Sequence, residues 1–347
     1  IALLTPDVLG RLREITTSEV DVVERKTKHD VRAWVRIAQE ITGPKLGRWM
    51  HALLTSYDAL DSGRIVQYTR AHQHVLLPTT KEVLLLFAEL TRRFSSQLQI
   101  GRTHGQHALP ITVGFWFATI LSRALYCAQQ MDMHAQALVG KISGAVGAYN
   151  AQVGLGIAAR CGQKTYEARV LEKVGLVPGP ISTQILMPEY LASYLYFCNL
   201  LSAALAQFGR DGRNLMRTEI AELAEPFEAE QVASSTMAHK PGNPLNFENT
   251  EGQWIRTKNE FGKVQDTLIS EHQRDLVASC VMRDFPAIPI NVQYQLNTLR
   301  RRTDDGRTFL GRITVNPEAC RVNLESSSRV LLAEPLYIAL QVAGYEG

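Results

Sequence analysis

The chain has 347 residues, of which 45% are hydrophobic and 20% are charged. These proportions are typical of a globular protein, and the length exceeds what one compact core usually reaches, so we expect two or three domains or one elongated domain. A net charge of +3 is too small to indicate a nucleic acid partner. The longest purely apolar run, residues 83–88, is far shorter than the roughly 20 residues of a membrane-spanning helix, so no membrane partner is expected.

Cysteine usage bears on the redox environment. The count is odd, and no two cysteines form a Cys-x-x-Cys pair. Reduced thiols of this kind favour a cytoplasmic location. The residues are Cys127, Cys161, Cys198, Cys280 and Cys320.

Three segments carry the periodicity of amphipathic helices. Apolar residues recur every three or four positions over 83–98, Gly and Pro are absent from 115–139, and the same apolar spacing returns over 189–208. Helices of twenty residues or more are about 30 Å long, which favours a long helix bundle. No run shows sustained period-two alternation, so strands are a minor element. Each apolar stripe fits a core within one chain or an interface between chains, and we favour the core.

A polar segment over residues 234–252 combines hydroxyl, imidazole, ammonium, amide and carboxylate groups. Gly242 and Pro244 disfavour a helix here and the paired serines disfavour a strand, so we predict a surface loop ahead of a helix. The segment is either a solvated linker or a catalytic loop. It begins at Ser234 and reads Ser-Ser-Thr-Met-Ala-His-Lys-Pro-Gly-Asn-Pro.

Five further motifs lie in order along the chain with this loop, over roughly residues 27–283. They are Thr27-Lys28-His29-Asp30-Val31, Thr55-Ser56-Tyr57-Asp58, Gly101-Arg102-Thr103-His104-Gly105-Gln106, Lys141-Ile142-Ser143-Gly144-Ala145-Val146-Gly147 and Gln273-Arg274-Asp275-Leu276. The six together resemble the fumarase/aspartase superfamily of lyases. The Phe-Glu-Asn-x-Glu-Gly end of the loop is most similar to the adenylosuccinate lyase family. One motif alone would carry little weight, whereas six in order are specific.

The resemblance implies an all-α fold, namely an elongated long-helix bundle with small flanking helical domains. By analogy the N-terminal domain spans residues 1–58, the central bundle 59–310 and a C-terminal domain 311–347. Family members carry a longer C-terminal domain, so we expect part of it to lie outside this sequence. They are homotetramers in which three subunits build each active site.

The family reaction is an anti β-elimination that releases fumarate from adenylosuccinate, giving AMP, and from a related imidazole succinocarboxamide ribotide in purine synthesis. The proton is removed beside a carboxylate, so fixed cationic and hydrogen-bonding groups must stabilise the doubly charged product of that step. The resemblance assigns Ser234 as the base, with Lys240 and Asn243 stabilising its alkoxide and the substrate carboxylate. It assigns His104 as the acid that protonates the leaving nitrogen, with Glu248 orienting the ring.

The resemblance also implies a set of substrate-binding residues. Thr55 and Ser56 offer hydroxyls to a carboxylate, and Gln184 contacts the base or carboxamide side of the nucleotide. Arginine suits phosphate and carboxylate groups because its planar fork donates two parallel hydrogen bonds. We expect positions 279 and 283 to share a helix face, with 274 about a turn and a half earlier. The remaining members of the set are His29, Asp30, His51, Thr103, Arg274, Ser279 and Arg283.

Departures from the family pattern lie in the loop. Ala233 and Ala238 stand where the family has Gly and Pro, and one extra residue separates Lys240 from Asn243. Either the loop geometry changes, or Pro241 and Gly242 form a turn that absorbs the insertion. Two alternatives remain open, which are another superfamily lyase such as argininosuccinate lyase or a carboxymuconate cycloisomerase, and an inactive structural homologue.

Metal and cofactor chemistry find little support in the sequence. His72 and His74 lie on different sides of a helix, and no His-Glu-x-x-His, Cys/His cluster or phosphate-binding glycine loop is present. We therefore expect no metal and no cofactor, and a small nucleotide as the substrate. The other unmatched histidines, His134 and His272, are expected to be structural, as are His72 and His74.

Overall fold

The computed structural model describes residues 4–227 and 242–345. Helices dominate this part of the chain, which confirms the predicted all-α fold. Its sheets are two short antiparallel pairs, β1 with β2 and β3 with β4. The strands are β1 (Leu98–Thr103), β2 (Gln106–Thr112), β3 (Leu223–Ala224) and β4 (Thr314–Val315).

The helices follow one another along the chain with short connections. The first five are α1 (Pro6–Arg13), α2 (Thr17–Thr27), α3 (Asp30–Gly47), α4 (Ser56–Ala71) and α5 (Leu77–Arg93), with a π-helical segment at His72–Leu76 between the last two. The middle of the chain forms α6 (Val113–Gln136), α7 (Asn150–Gly154), α8 (Tyr166–Glu172), α9 (Pro188–Leu215) and α10 (Leu245–Asp266). The last are α11 (Val277–Val281), α12 (Ala287–Arg300), α13 (Pro317–Ser326), α14 (Ser328–Leu331) and α15 (Ala333–Val342). Single 3₁₀ turns lie at Ala158–Arg160 and Leu310–Arg312.

The chain divides into two compact units. Unit 1 holds the described residues up to Gln67 together with Leu138–Met187 and Ser270–Asp275. Unit 2 holds the described residues of Tyr68–Ala137, of Pro188–Ile269 and from Leu276 onward. The division into N-terminal, bundle and C-terminal domains stays a prediction.

Unit 2 is a bundle around a chain of aromatic rings contributed by successive helices. Phe87 of α5 lies edge-on to Phe208 of α9, with ring centroids 5.0 Å apart, and Phe208 lies edge-on to Phe247 of α10 at 5.2 Å. All three side chains are fully buried. Edge-to-face pairs add to the stabilisation that burial of such large apolar surfaces provides. The ring chain ties three helices that are far apart in sequence into one core.

Helix α9 is long and apolar enough to cross a membrane by length and composition. Half of its most apolar window is buried within the protein, as in the core helix of a globular bundle. Leu195, Cys198, Leu201 and Leu205 on one face have no exposed surface. This spacing is the stripe predicted over 189–208, and it is here core within the chain.

One predicted stripe extends past the end of its helix. The pattern over 83–98 predicts a single element, but α5 ends at Arg93 and Leu98 begins β1. Phe94 leaves the helical region at φ −108°, and the hydroxyl of Ser95 donates to the carbonyl of Arg92 at 2.9 Å. A serine that satisfies a nearby carbonyl in this way competes with continuation of the helix.

Candidate active site

The motif that contains His104 forms a tight hairpin between β1 and β2. Thr103 pairs with Gln106, so His104 and Gly105 are the two turn residues. Their φ angles are 53° and 76°. Two successive positive φ angles define the turn type that matches the twist of a two-stranded hairpin, and glycine favours it. The turn leaves both Thr103 and His104 exposed at the tip.

The base of this hairpin is anchored by Glu222, a residue that the sequence analysis did not identify. Its buried carboxylate accepts two hydrogen bonds from the Arg102 guanidinium, at 3.0 and 2.7 Å, and one each from Gln99 and Asn323, both at 2.8 Å. A buried carboxylate is tolerated when its oxygens are satisfied in this way. Arg102 therefore holds the strand that carries His104, and only its place beside Thr-His-Gly hinted at a role.

Helix α10 begins inside the segment predicted to be a loop. The prediction of a loop is wrong from Leu245 onward, because Leu245–Gly252 is the first part of the helix. The free backbone amides of Asn246 and Phe247 donate to the carboxylate of Glu225 at 3.1 and 2.6 Å. A carboxylate at this place satisfies orphan donors and opposes the helix dipole. Burial nevertheless raises the pKa of Glu225, and these hydrogen bonds oppose that rise.

The catalytic set predicted from the loop is only partly within the described residues. Ser234 and Lys240 lie outside them. Asn243 is half-buried just before α10, and Glu248 is exposed in its first turn. Among the described residues of this single chain, no hydrogen bond or ion pair joins Glu248 to His104. The predicted orientation of His104 by Glu248 is thus not made within one chain and stays a prediction.

Asp58 is the centre of the hydrogen-bond network in unit 1. It is fully buried and forms an ion pair with the equally buried ammonium of Lys141. Its carboxylate also accepts from the backbone amides of Thr55 at 2.8 Å, Ser143 at 3.1 Å and Gly144 at 3.2 Å. The bond to Thr55 is one half of a capping box at the start of α4. Asp58 therefore joins the Thr-Ser-x-Asp and Lys-x-Ser-Gly motifs, a pairing that neither motif reveals alone.

Several predicted substrate-binding residues lie beside this network. The His29 ring and the Ser56 hydroxyl are 3.5 Å apart, and His29 caps α3 by accepting from the Arg32 amide at 3.4 Å. Asp30 lies 3.2 Å from the His29 ring, and both are about half exposed. Burial lowers the pKa of His51, which the Asp58 carboxylate opposes and the His29 ring reinforces. The structure thus brings His29, Asp30, His51 and Ser56 together.

Gln184 and Arg274 form a second predicted pair within unit 1. The Arg274 guanidinium donates to Gln184 Oε1 at 2.5 Å, and Gln184 Nε2 donates to the Ala145 carbonyl at 2.9 Å. The guanidinium carbon lies 3.7 Å from the centroid of the Tyr57 ring. Tyr57 directly follows Ser56, so the pair is linked to the residues around Asp58.

Ser279 and Arg283 depart from their predicted geometry. Helix α11 ends at Val281, and the Arg283 amide bonds the Cys280 carbonyl three residues back at 3.2 Å. The shared helix face predicted for the two residues is therefore wrong. Pro286 disfavours helical geometry at the residue before it, so a helix cannot run straight on into α12. Ser279 and Arg283 belong to unit 2, whereas Arg274 belongs to unit 1.

Comparison with known proteins identifies the family. A family described as Lyase matches residues 8–257, which is more than half of the chain. The chain belongs to this lyase family. The lyase is 32% identical to adenylosuccinate lyase of Pyrococcus horikoshii, over 95% of this chain and 70% of that protein. It is also 32% identical to adenylosuccinate lyase of Synechocystis sp., over 93% and 70% respectively. These matches confirm the resemblance to the fumarase/aspartase superfamily.

Solved structures support the fold of the lyase. A fumarate lyase from Mesorhizobium sp. BNC1 matches with a TM-score of 0.76 at 22% identity, covering 96% of this chain and 73% of that one. The 3-carboxy-cis,cis-muconate lactonizing enzyme from Pseudomonas putida matches with a TM-score of 0.79 at 24% identity, covering 94% and 70%. At these identities the likeness is one of fold.

Proposed function

We propose that this lyase is an adenylosuccinate lyase, which cleaves adenylosuccinate to AMP and fumarate and acts on the related imidazole ribotide of purine synthesis. The observation that carries the proposal is its similarity to four proteins of that name, at 30–32% identity over 93–95% of the chain. Unit 1 adds support, because His29, Ser56, Gln184 and Arg274 lie together there. Hydroxyl, amide and guanidinium groups of this kind suit a substrate that carries phosphate and carboxylates.

The proposed chemistry breaks one C–H and one C–N bond and forms the C=C bond of fumarate. Ser234 takes the proton from the carbon beside the carboxylate, and His104 gives a proton to the leaving nitrogen. Lys240 and Asn243 stabilise the negative charge that develops on the carboxylate. His104 suits its role because an imidazole exchanges protons near neutral pH and because the hairpin tip exposes the ring. No step in this scheme needs a metal or a cofactor.

The proposal includes a cytoplasmic homotetramer in which several subunits complete each site. Support comes from the hairpin, because its exposed tip presents His104 outward and no described contact joins it to Glu248 of the same chain. Ser279 and Arg283 provide further substrate contacts in this scheme, and so does Thr103.

The direct test mixes purified protein with adenylosuccinate and follows the release of AMP and fumarate. We expect both products in equal amounts, and argininosuccinate is the matched comparison because it is a substrate of another superfamily lyase. Turnover of argininosuccinate alone would replace the proposal with that activity. Absence of turnover on either substrate would leave the chain as an inactive homologue.

A pair of serine variants tests the assignment of the base. Ser234→Ala should lower kcat by several orders of magnitude while substrate still binds, because it removes a group needed in the transition state. Ser235→Ala is the matched control, since it removes the neighbouring hydroxyl. If Ser235→Ala loses turnover and Ser234→Ala keeps it, the base is the second serine of the pair.

A further inference from the structure

Tyr57 occupies the variable position of the Thr-Ser-x-Asp motif and was given no role by the sequence. Its ring is 7% exposed, and the Arg274 guanidinium carbon lies 3.7 Å from the ring centroid. The guanidinium of Arg64 is also within reach of the ring, at 5.9 Å. A separation of 3.7 Å is that of a guanidinium packed against an aromatic face, where the ring quadrupole attracts the cation.

The position of the Tyr57 ring is itself fixed by its neighbour. Asp58 is held by Lys141 and by three backbone amides, so the first turn of α4 has little freedom. Tyr57 projects from that turn. The stack on its ring then restricts the plane of the Arg274 guanidinium.

Gln184 restricts Arg274 in a second direction. Its side-chain oxygen accepts from the guanidinium at 2.5 Å, and its side-chain nitrogen is tied to the Ala145 carbonyl at 2.9 Å. The stack defines the plane of the guanidinium, and this hydrogen bond defines its rotation within the plane. An arginine that is ordered before the ligand arrives loses less conformational entropy on binding.

We propose that Tyr57 is a positioning residue, which holds Arg274 oriented for an oxyanion group of the substrate, either phosphate or carboxylate. This proposal rests on the proposed function, in which Arg274 binds the substrate. The aromatic ring of Tyr57 provides the positioning, and its hydroxyl is not required. Tyr57 acts only through Arg274.

The test is a double-mutant cycle in the full chain. Tyr57→Leu should raise KM for adenylosuccinate about tenfold with kcat almost unchanged, the size expected of a partly desolvated contact between a cation and an aromatic ring. Tyr57→Phe keeps the ring and should behave as the unmodified protein does. In an Arg274→Gln background, Tyr57→Leu should raise KM no further, because the group on which it acts is already gone.

Two controls separate positioning from a loss of fold. Circular dichroism melting of each variant reports its stability. Tyr166→Leu removes another tyrosine of unit 1, on which no guanidinium stacks among the described residues, and it should leave KM unchanged. An equal rise in KM from Tyr57→Leu in both backgrounds, or a Tyr57→Phe variant as impaired as Tyr57→Leu, would overturn the proposal.

Binding titrations distinguish this proposal from the proposed function. AMP, fumarate and inorganic phosphate are titrated separately into the same proteins. Weaker binding of AMP and phosphate in Tyr57→Leu identifies a phosphate as the oxyanion, and weaker binding of fumarate identifies a carboxylate. If the unmodified protein does not cleave adenylosuccinate, the function fails, and the phosphate titration still tests the positioning. Equal binding of all three ligands by every variant refutes the role of Tyr57.

Discussion

Asp58 and Lys141 are the residues on which the candidate site most depends for its shape. Both side chains are almost completely removed from solvent. A buried ion pair gains little net stability over an apolar pair, but an uncompensated buried charge is costly. The pair therefore acts by specifying how two motifs meet, and its value appears when one partner is removed.

Lys141→Met is expected to destabilise the protein by about 3–5 kcal/mol, because it leaves the Asp58 carboxylate buried without its cation. Urea unfolding followed by circular dichroism measures the change. Lys164→Met is the matched control, since its ion pair with Glu172 is more than half exposed. That variant should leave the urea midpoint nearly unchanged. Equal shifts for the two variants would contradict a special role for the buried pair.

His72 lies at the start of the π-helical segment, and its ring is almost fully buried. Nε2 bonds Asp132 at 3.0 Å, and since a carboxylate only accepts, this nitrogen carries the hydrogen. Nδ1 is buried and has no partner among the described residues. Protonation of Nδ1 would create a buried donor without an acceptor. Burial accordingly lowers the pKa of His72, against the effect of Asp132 and together with that of Lys81.

A pH dependence of stability follows from His72. Its pKa is lower in the folded than in the unfolded chain, so its contribution to stability is complete above the unfolded value of about 6.5 and is lost as the pH falls toward the folded value. Each unit of lowering corresponds to about 1.4 kcal/mol at a pH below both values. His72→Gln should lose less stability than the unmodified protein between pH 7 and pH 5. Parallel losses in the two proteins, measured by urea unfolding, would show that other groups dominate.

At the scale of elements, the closest helix contact in unit 2 is between α9 and α10. Gly212 of α9 faces the Phe247 ring, and a methyl group there would lie 2.7 Å from a ring carbon. Phe247 is fully buried beside other rings and cannot move away without loss of packing. It also precedes Glu248, so the contact helps to set where the first turn of α10 lies.

Two glycine variants test this packing. Gly212→Ala should destabilise the protein by about 1–3 kcal/mol, because the core is overpacked. Gly262→Ala in the same pair of helices is the control, since a methyl group there meets nothing within 4 Å. It should stabilise the protein by about 1 kcal/mol through helix propensity. Thermal melting that shows the same sign for both variants would mean that the α9 and α10 contact is looser than described.

The helical fold was readable from sequence because its signals are local. Long runs without Gly or Pro and a repeat of three or four residues predict α6 and α9 to within a few residues at most ends. The start of α10 was not readable, because Glu225 caps it from about 20 residues earlier and no capping motif precedes the helix. The end of α5 depends on Ser95, a weak signal in sequence.

The candidate site shows the same division. His29, Ser56, Gln184 and Arg274 were identified through motifs, and the structure brings them together. Tyr57 and Glu222 were missed, because a side chain that supports another leaves no trace in a spacing rule. The assumption of one continuous helix through Arg283 failed where Pro286 interrupts it.

At the scale of the whole molecule, the proposed sharing of sites between subunits makes a numerical prediction. His104→Ala and Ser234→Ala proteins should each be almost inactive. If each site takes these residues from different subunits, mixed tetramers refolded from equal amounts should recover about a quarter of the sites, because each residue is intact half of the time. The assay is fumarate release. Absence of recovery, with subunit exchange verified by mass, would place both residues in one chain or the site elsewhere.

The three-part construction of unit 1 has a consequence for synthesis. Its last stretch is Ser270–Asp275, and the stack of Arg274 on Tyr57 joins residues roughly 200 positions apart. At about 5–20 residues per second, some 10–40 s separate the two residues as the chain is translated. The middle of the chain, including α6 and α9, is made in that interval. The nascent protein therefore acquires its oxyanion-binding arginine late, and unit 1 cannot bind substrate through that group before most of unit 2 has left the ribosome.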